Sequence, residues 1–140
     1  MSGIHMASVR TDEDILAEID HLIAHYPPLV HDRRTIRVEV NAGCVTVRGN
    51  LMSPNTAEYL LNRIGQMDGV QMVEAAELFD DQSLRLEIAH LLPAGVMIAS
   101  IRQGFVVLTG TLPPHTDLNA LIHTVAAVPG VRQVINGFGG

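Results

Sequence analysis

One stretch of this chain is written twice, and the repetition limits its possible folds more than any other feature. The residues GCVTVRGNL run from Gly43 to Leu51, and GFVVLTGTL run from Gly104 to Leu112. The same offset aligns later positions without a gap, among them Gly69 with Gly130. A gapless match of this length predicts two copies of one supersecondary unit.

The first copy carries a short insertion. Upstream of the repeated strands, EIDHLI (residues 18–23) resembles EIAHLL (residues 87–92) at a longer offset than the strands themselves. The additional residues fall in YPPLVHDRRT, between Tyr26 and Thr35. Because two prolines stand there, we expect the preceding helix to stop and an extended loop to follow over residues 26–35.

Each copy is predicted to run helix, strand, strand, helix, strand. In the first copy, four apolar residues fall on one face of an amphipathic helix: Ile15, Ile19, Leu22 and Ile23. Apolar residues then alternate along two strands, and Ala42-Gly43 between them suits a two-residue hairpin turn. Ser53 followed by Pro54 is typical of the start of a second helix.

A strand, a helix and a parallel strand connect right-handedly, so each copy should form a three-stranded mixed sheet with both helices on one face. The predicted fold is α+β, with a first module at 9–79, a second at 80–136 and a tail at 137–140. The first eight residues, MSGIHMAS, are interpreted as an expression-vector remnant and left out of the fold prediction.

Composition narrows the classes of function. Hydrophobic residues make up 47% of the chain and charged residues 17%, without an apolar run that could span a bilayer. The net charge is -6, which argues against nucleic-acid binding, and all nine basic residues are arginine. Cys44 is the single cysteine, so an intramolecular disulfide is excluded.

The repeated segments resemble the BON family, small modules named from bacterial osmotic-shock and nodulation proteins. The resemblance rests on VEVNAGCVTVRGNL with MDGVQMV, and on ASIRQGFVVLTGTL with VPGVRQV. It covers nearly all of residues 12–136 as a tandem pair. It implies a binding module without catalytic residues, associated with phospholipid or the bacterial envelope in many members and with potassium in some.

Three histidines are candidate metal ligands. His21 and His25 stand four apart on the first helix, and His31 follows in the insertion. Two imidazoles at that spacing can share a Zn²⁺ ion. The interpretation we prefer is a solvated helix stripe, in which Asp14 and Glu18 pair with the imidazoles at helical spacing.

The uncovered sheet face distinguishes the copies. The first copy should present Arg37, Glu39, Thr46 and Arg48, whereas the equivalent positions of the second are Ile98, Ser100, Val107 and Thr109, with Phe105 beside them. An apolar patch of this kind usually marks an interface. We expect Arg102, opposite Phe105, to add a cation–π contact. The patch should be buried either against the first module or against another molecule.

We therefore predict a non-enzymatic binding module that docks a partner protein, a second copy of itself or phospholipid. The alternative is a module that senses potassium or another cation, for which oxygen ligands are suited but no residue motif is visible. No cofactor is predicted. The family implies a bacterial protein related to the envelope or to osmotic stress, and the sequence leaves a periplasmic, envelope or cytoplasmic location open.

Overall fold

The computed structural model describes residues 10–138, which form two modules of the same topology. The first contains α1 (Asp12–His25), α2 (Pro27–Asp32), β1 (Arg37–Asn41), β2 (Cys44–Leu51), α3 (Pro54–Gly65) and β3 (Met72–Asp80). The second contains α4 (Asp81–Ala89), β4 (Val96–Arg102), β5 (Phe105–Gly110), α5 (Leu118–Ala126) and β6 (Gln133–Asn136). The predicted α+β fold and element order are confirmed. The segment MSGIHMAS lies outside the described residues.

Each module has its own three-stranded mixed sheet. In the first, β1 pairs antiparallel with β2 and β2 pairs parallel with β3; in the second, β4, β5 and β6 repeat this arrangement. Both hairpin turns have positive φ at their two central residues, 52° and 82° at Ala42-Gly43 and 51° and 85° at Gln103-Gly104. That geometry matches the twist of two antiparallel strands and fixes the same register in both hairpins.

The helices of each module cover one face of its sheet. In the first module, Val45 and Val47 of β2 are fully buried together with Ile15 of α1 and Leu60 of α3. A second, separate core joins the corresponding elements, with Ile88, Val106, Leu108 and Val125 buried. Alternate strand residues point to opposite faces, and those of each hairpin ladder that point away from the helices are exposed or half-buried within residues 10–138. This leaves two open sheet faces.

The inserted segment contains a helix, so the prediction of an extended loop is wrong for Pro27–Asp32. The two prolines occupy the first turn of α2, where their fixed φ suits a helix and their missing N–H is not needed. Leu29 is fully buried in the first core, which holds α2 in place.

The module boundary has no linker, because β3 ends at Asp80 and α4 begins at Asp81. At the other end, the first two residues of the predicted tail belong to the second module. The Gly137 N–H donates to the Leu108 carbonyl at 2.8 Å, and Phe138 packs against the second core. None of the helices within residues 10–138 has the length and apolar character that a membrane crossing requires.

Candidate functional site

The open face of the second sheet carries a cluster of apolar side chains. On β5, Phe105 and Val107 are half-buried and alternate with the buried core residues. Ile135 pairs with Val107 from β6 and is 41% exposed, while Met97 of β4 is 59% exposed. We call Met97, Phe105, Val107 and Ile135 the apolar strip. Apolar side chains with this exposure on neighbouring strands are typical of an interaction surface.

Ile98 is not part of this surface, and the prediction of its outward orientation is wrong. The ladder between β4 and β5 shifts register between Ile98 and Ser100, which leaves Ala99 as a bulge. Because a bulge reverses the facing of the residues on one side of it, Ile98 pairs with Leu108 and packs against the second core. The same shift places Met97 on the open face, a residue that the simple offset did not select.

The predicted cation–π contact exists with a different arginine. Arg102 pairs with Phe105 across the ladder, as expected, but the guanidinium that lies over the Phe105 ring belongs to Arg132, 4.8 Å from the ring centroid. Arg132 immediately precedes β6, the strand beside β5. The apolar strip is therefore bordered by two exposed arginines.

The open face of the first sheet is charged. In the strand ladder, Arg37 of β1 stands opposite Arg48 of β2. Glu74 and Glu77 of β3 stand opposite residues of β2 on its other side. Arg48 lies 3.8 Å from the Glu39 carboxylate, and both side chains are well exposed. This face is charged and exposed, as the sequence predicted.

The first module does not cover the apolar strip. The two modules meet end to end instead, where the Asn50 Nδ2 amide donates to the Gly130 carbonyl at 2.7 Å. A Cβ on Gly104 would lie only 2.8 Å from that amide nitrogen, and one on Gly130 would overlap the Phe79 ring. This contact involves the turn end of the second module and not its open sheet face, so within residues 10–138 the first module does not bury the strip.

A matched pair of carboxylates holds the two hairpin turns. Asp12, at the start of α1, accepts from the backbone N–H groups of Ala42 and Gly43 at 2.8 and 3.1 Å. Asp81, at the start of α4, accepts from those of Gln103 and Gly104 at 2.8 and 3.2 Å.

Burial raises the pKa of Asp81, while its two backbone hydrogen bonds oppose the rise and the nearby charges of Asp32 and Asp80 add to it. Asp12 and Asp81 each open a segment that repeats at the longer offset, DEDILAEI and DQSLRLEI. That alignment could have identified the pair from sequence.

Of the three candidate zinc ligands, the structure brings His21 and His25 together but leaves His31 apart from them. The rings of His21 and His25 stack at 4.0 Å between centroids, and His25 Nδ1 lies 2.7 Å from the His21 carbonyl oxygen. His31 is on α2 and lines a different part of the surface. Within residues 10–138, no group of three His, Cys, Asp or Glu side chains has the geometry of a metal site.

The family model of the BON domain matches residues 80–138. Its bounds coincide with the second module, from the cap of α4 to Phe138. The match supports the BON resemblance for the second module. The first module shares its topology, and its membership of the family stays a prediction.

Two solved structures share the fold of the whole chain. Both are of CdsD, a structural protein of the type III secretion system of Chlamydia trachomatis, and one of them is its C-terminal domain. Each aligns with a TM-score of 0.75 over 93% of this chain at 19% identity, and this chain spans 63% and 67% of the two solved chains. At that identity the likeness concerns the fold. No curated protein matches this chain in sequence.

Proposed function

We propose that this chain is a non-enzymatic interaction module that binds protein through the apolar strip of its second sheet. The observation that carries the proposal is the exposure of Met97 and Ile135 beside Val107, on a face that neither a helix nor the first module covers. Burying apolar side chains contributes about 1.5 to 3 kcal/mol each, so such a face favours a partner.

A second copy of this chain is the partner that the strip fits. A two-fold axis, the commonest symmetry of soluble oligomers, would bring the strips of two copies together so that apolar side chains contact apolar side chains. The -6 net charge and the absence of lysine disfavour electrostatic attraction to anionic phospholipid. The likeness to a structural protein of a secretion system supports a role in assembly.

Sedimentation equilibrium of the whole chain, with the Val107→Asp variant, tests this proposal. We expect the parent to self-associate and the variant to do so at least about tenfold more weakly, since each 1.4 kcal/mol lost is a factor of ten. The variant should stay folded because this side chain lies on the open face. Thr46→Asp, at the matching position of the first sheet, is the control and should behave as the parent.

A parent that remains monomeric, or a Val107→Asp variant that associates as the parent does, would contradict the proposal. Flotation with phosphatidylglycerol vesicles provides the other arm: binding that Val107→Asp abolishes would assign the strip to phospholipid instead. Melting in potassium and sodium salts of equal ionic strength addresses the cation alternative, which a selective stabilisation by potassium would favour.

A further inference from the structure

A cleft of about 520 Å³ lies between the inserted helix α2 and the second module. The first module contributes Asp32 and Met52 to its lining, and the second contributes Asp81, Arg85, Ile101 and Arg102, among others. The cleft exists because the first module carries α2, which has no counterpart in the second. None of the four residues of the apolar strip lines the cleft, although Arg102 borders both surfaces.

Asp32 forms the floor of this cleft and holds a carboxylate oxygen without a donor. The residue is 1% exposed, and its Oδ2 accepts from the Met52 N–H at 3.0 Å. Its Oδ1 is buried and has no hydrogen-bond partner within residues 10–138. Leaving a buried acceptor unpaired is costly, and more so for a charged group. A hydrogen-bond donor that binds in the cleft beside Asp32 would remove this cost.

The charges around the cleft indicate what kind of molecule enters. Asp32 and Asp81 face the exposed arginines Arg85 and Arg102, neither of which makes an ion pair in the part of the chain that the structure describes. A simple cation would lie beside two guanidinium groups, and a simple anion would lie beside two carboxylates. A small zwitterion satisfies both kinds of group.

We propose that the cleft binds a free L-α-amino acid with an apolar side chain. The ammonium group donates to Asp32 Oδ1, and the carboxylate accepts from both Arg85 and Arg102 in charge-assisted hydrogen bonds. Met52 and Ile101 provide the apolar lining that the side chain contacts. The binding site thus spans both modules.

Titration of the ¹⁵N-labelled chain with each of the twenty standard L-amino acids, followed in ¹H–¹⁵N spectra, tests the proposal. We expect L-leucine to shift the amide signals of Met52 and Gln103, which border the cleft. Isoamylamine lacks the carboxylate and N-acetyl-L-leucine lacks the ammonium, so each should bind at least about tenfold more weakly, the loss of one charged hydrogen bond. No shift with any amino acid, or equal binding of either analogue, would overturn the assignment.

Two variants and a control keep the test specific. Asp32→Asn retains an oxygen for the Met52 N–H but removes the free charge, and Arg102→Gln alters an exposed side chain of the cleft. Both should weaken L-leucine at least about tenfold. Arg48→Gln, on the open face of the first sheet, should leave the affinity unchanged. Parent-like affinity in either folded cleft variant, or equal weakening by the control, would overturn the proposal.

Discussion

The two sheets of this molecule have the same strand order and pairing, and their open faces differ in chemistry. On the first, charged residues occupy neighbouring positions, with Glu39 and Arg48 close enough to pair. On the second, Val107 and Ile135 pair across the ladder in an apolar strip. A face that only has to meet water can carry charge, whereas a persistent apolar face is costly unless something covers it. This difference is the basis of our proposal that the interaction surface lies on the second module.

The buried positions of the two sheets, in contrast, carry nearly the same residues in both modules. Val45 and Val47 of β2 occupy the same places as Val106 and Leu108 of β5, and all four are fully buried. Close packing tolerates only small changes of volume at such sites. The repeat is therefore visible in the sequence through its core, and the functional divergence lies on its surface.

The largest effect is expected at the glycines that end the two hairpins. Gly49 has φ 145° and Gly110 has φ 108°, and a Cβ would strike a backbone carbonyl of the neighbouring strand end in both, that of Thr35 and that of Gly95. Substituting alanine should lower the free energy of unfolding by roughly 2 to 6 kcal/mol at either site, from backbone strain plus overlap.

Urea denaturation measures this loss. A Cβ on Gly110 would overlap the Gly95 carbonyl oxygen more closely than one on Gly49 would overlap that of Thr35, so Gly110→Ala should be the more damaging of the two variants. An unchanged urea midpoint in either variant would contradict the claim that both hairpins require a glycine at this position.

A smaller effect is expected at the carboxylates that hold the hairpin turns. Asp81→Ala removes two charged hydrogen bonds from a buried site and should cost about 2 to 4 kcal/mol. Asp12→Ala should cost about 1 to 2 kcal/mol, because its turn is more exposed. Equal losses of unfolding free energy in the two variants would contradict the idea that burial makes Asp81 the more important carboxylate.

The pH dependence of the Asp81 contribution has a definite sign. Because the folded pKa lies above the ordinary value of 3.8, the folded chain binds this proton more tightly than the unfolded chain. The stability that Asp81 contributes should therefore increase as the pH falls through its raised pKa towards 3.8. Denaturation of the parent and of Asp81→Ala over this window should diverge further at lower pH, and convergence would contradict the direction of the shift.

The sequence was sufficient to predict the elements that depend on turn residues, helix caps and the internal repeat. The hairpin turns, the helix that begins at Pro54 and the mixed sheets all followed from turn chemistry, capping and periodicity. The bulge at Ala99 was not visible, because a one-residue slip leaves the alternation of β4 formally intact while it turns Ile98 inward. The stacking of Arg132 on Phe105 was missed because it joins residues of two strands that meet only in the folded sheet.

The insertion shows a second limit of sequence reasoning. Proline was interpreted as a helix breaker, yet Pro27 begins α2. Burial of Leu29 in the first core stabilises this helix. The cleft at Asp32 could not be foreseen either, because its walls come from segments about fifty residues apart that an end-to-end contact of the modules brings together. Such contacts depend on tertiary geometry and leave no periodic signal.

The contrast between the two open faces is tested most directly by a dilution series of the ¹⁵N-labelled chain followed in ¹H–¹⁵N spectra. If the apolar strip is the docking face, the amide signals of Met97, Val107 and Ile135 should move with concentration, and those of Glu39 and Thr46 should stay fixed. Concentration-dependent shifts on the first sheet, or constant spectra over the whole range, would contradict the account.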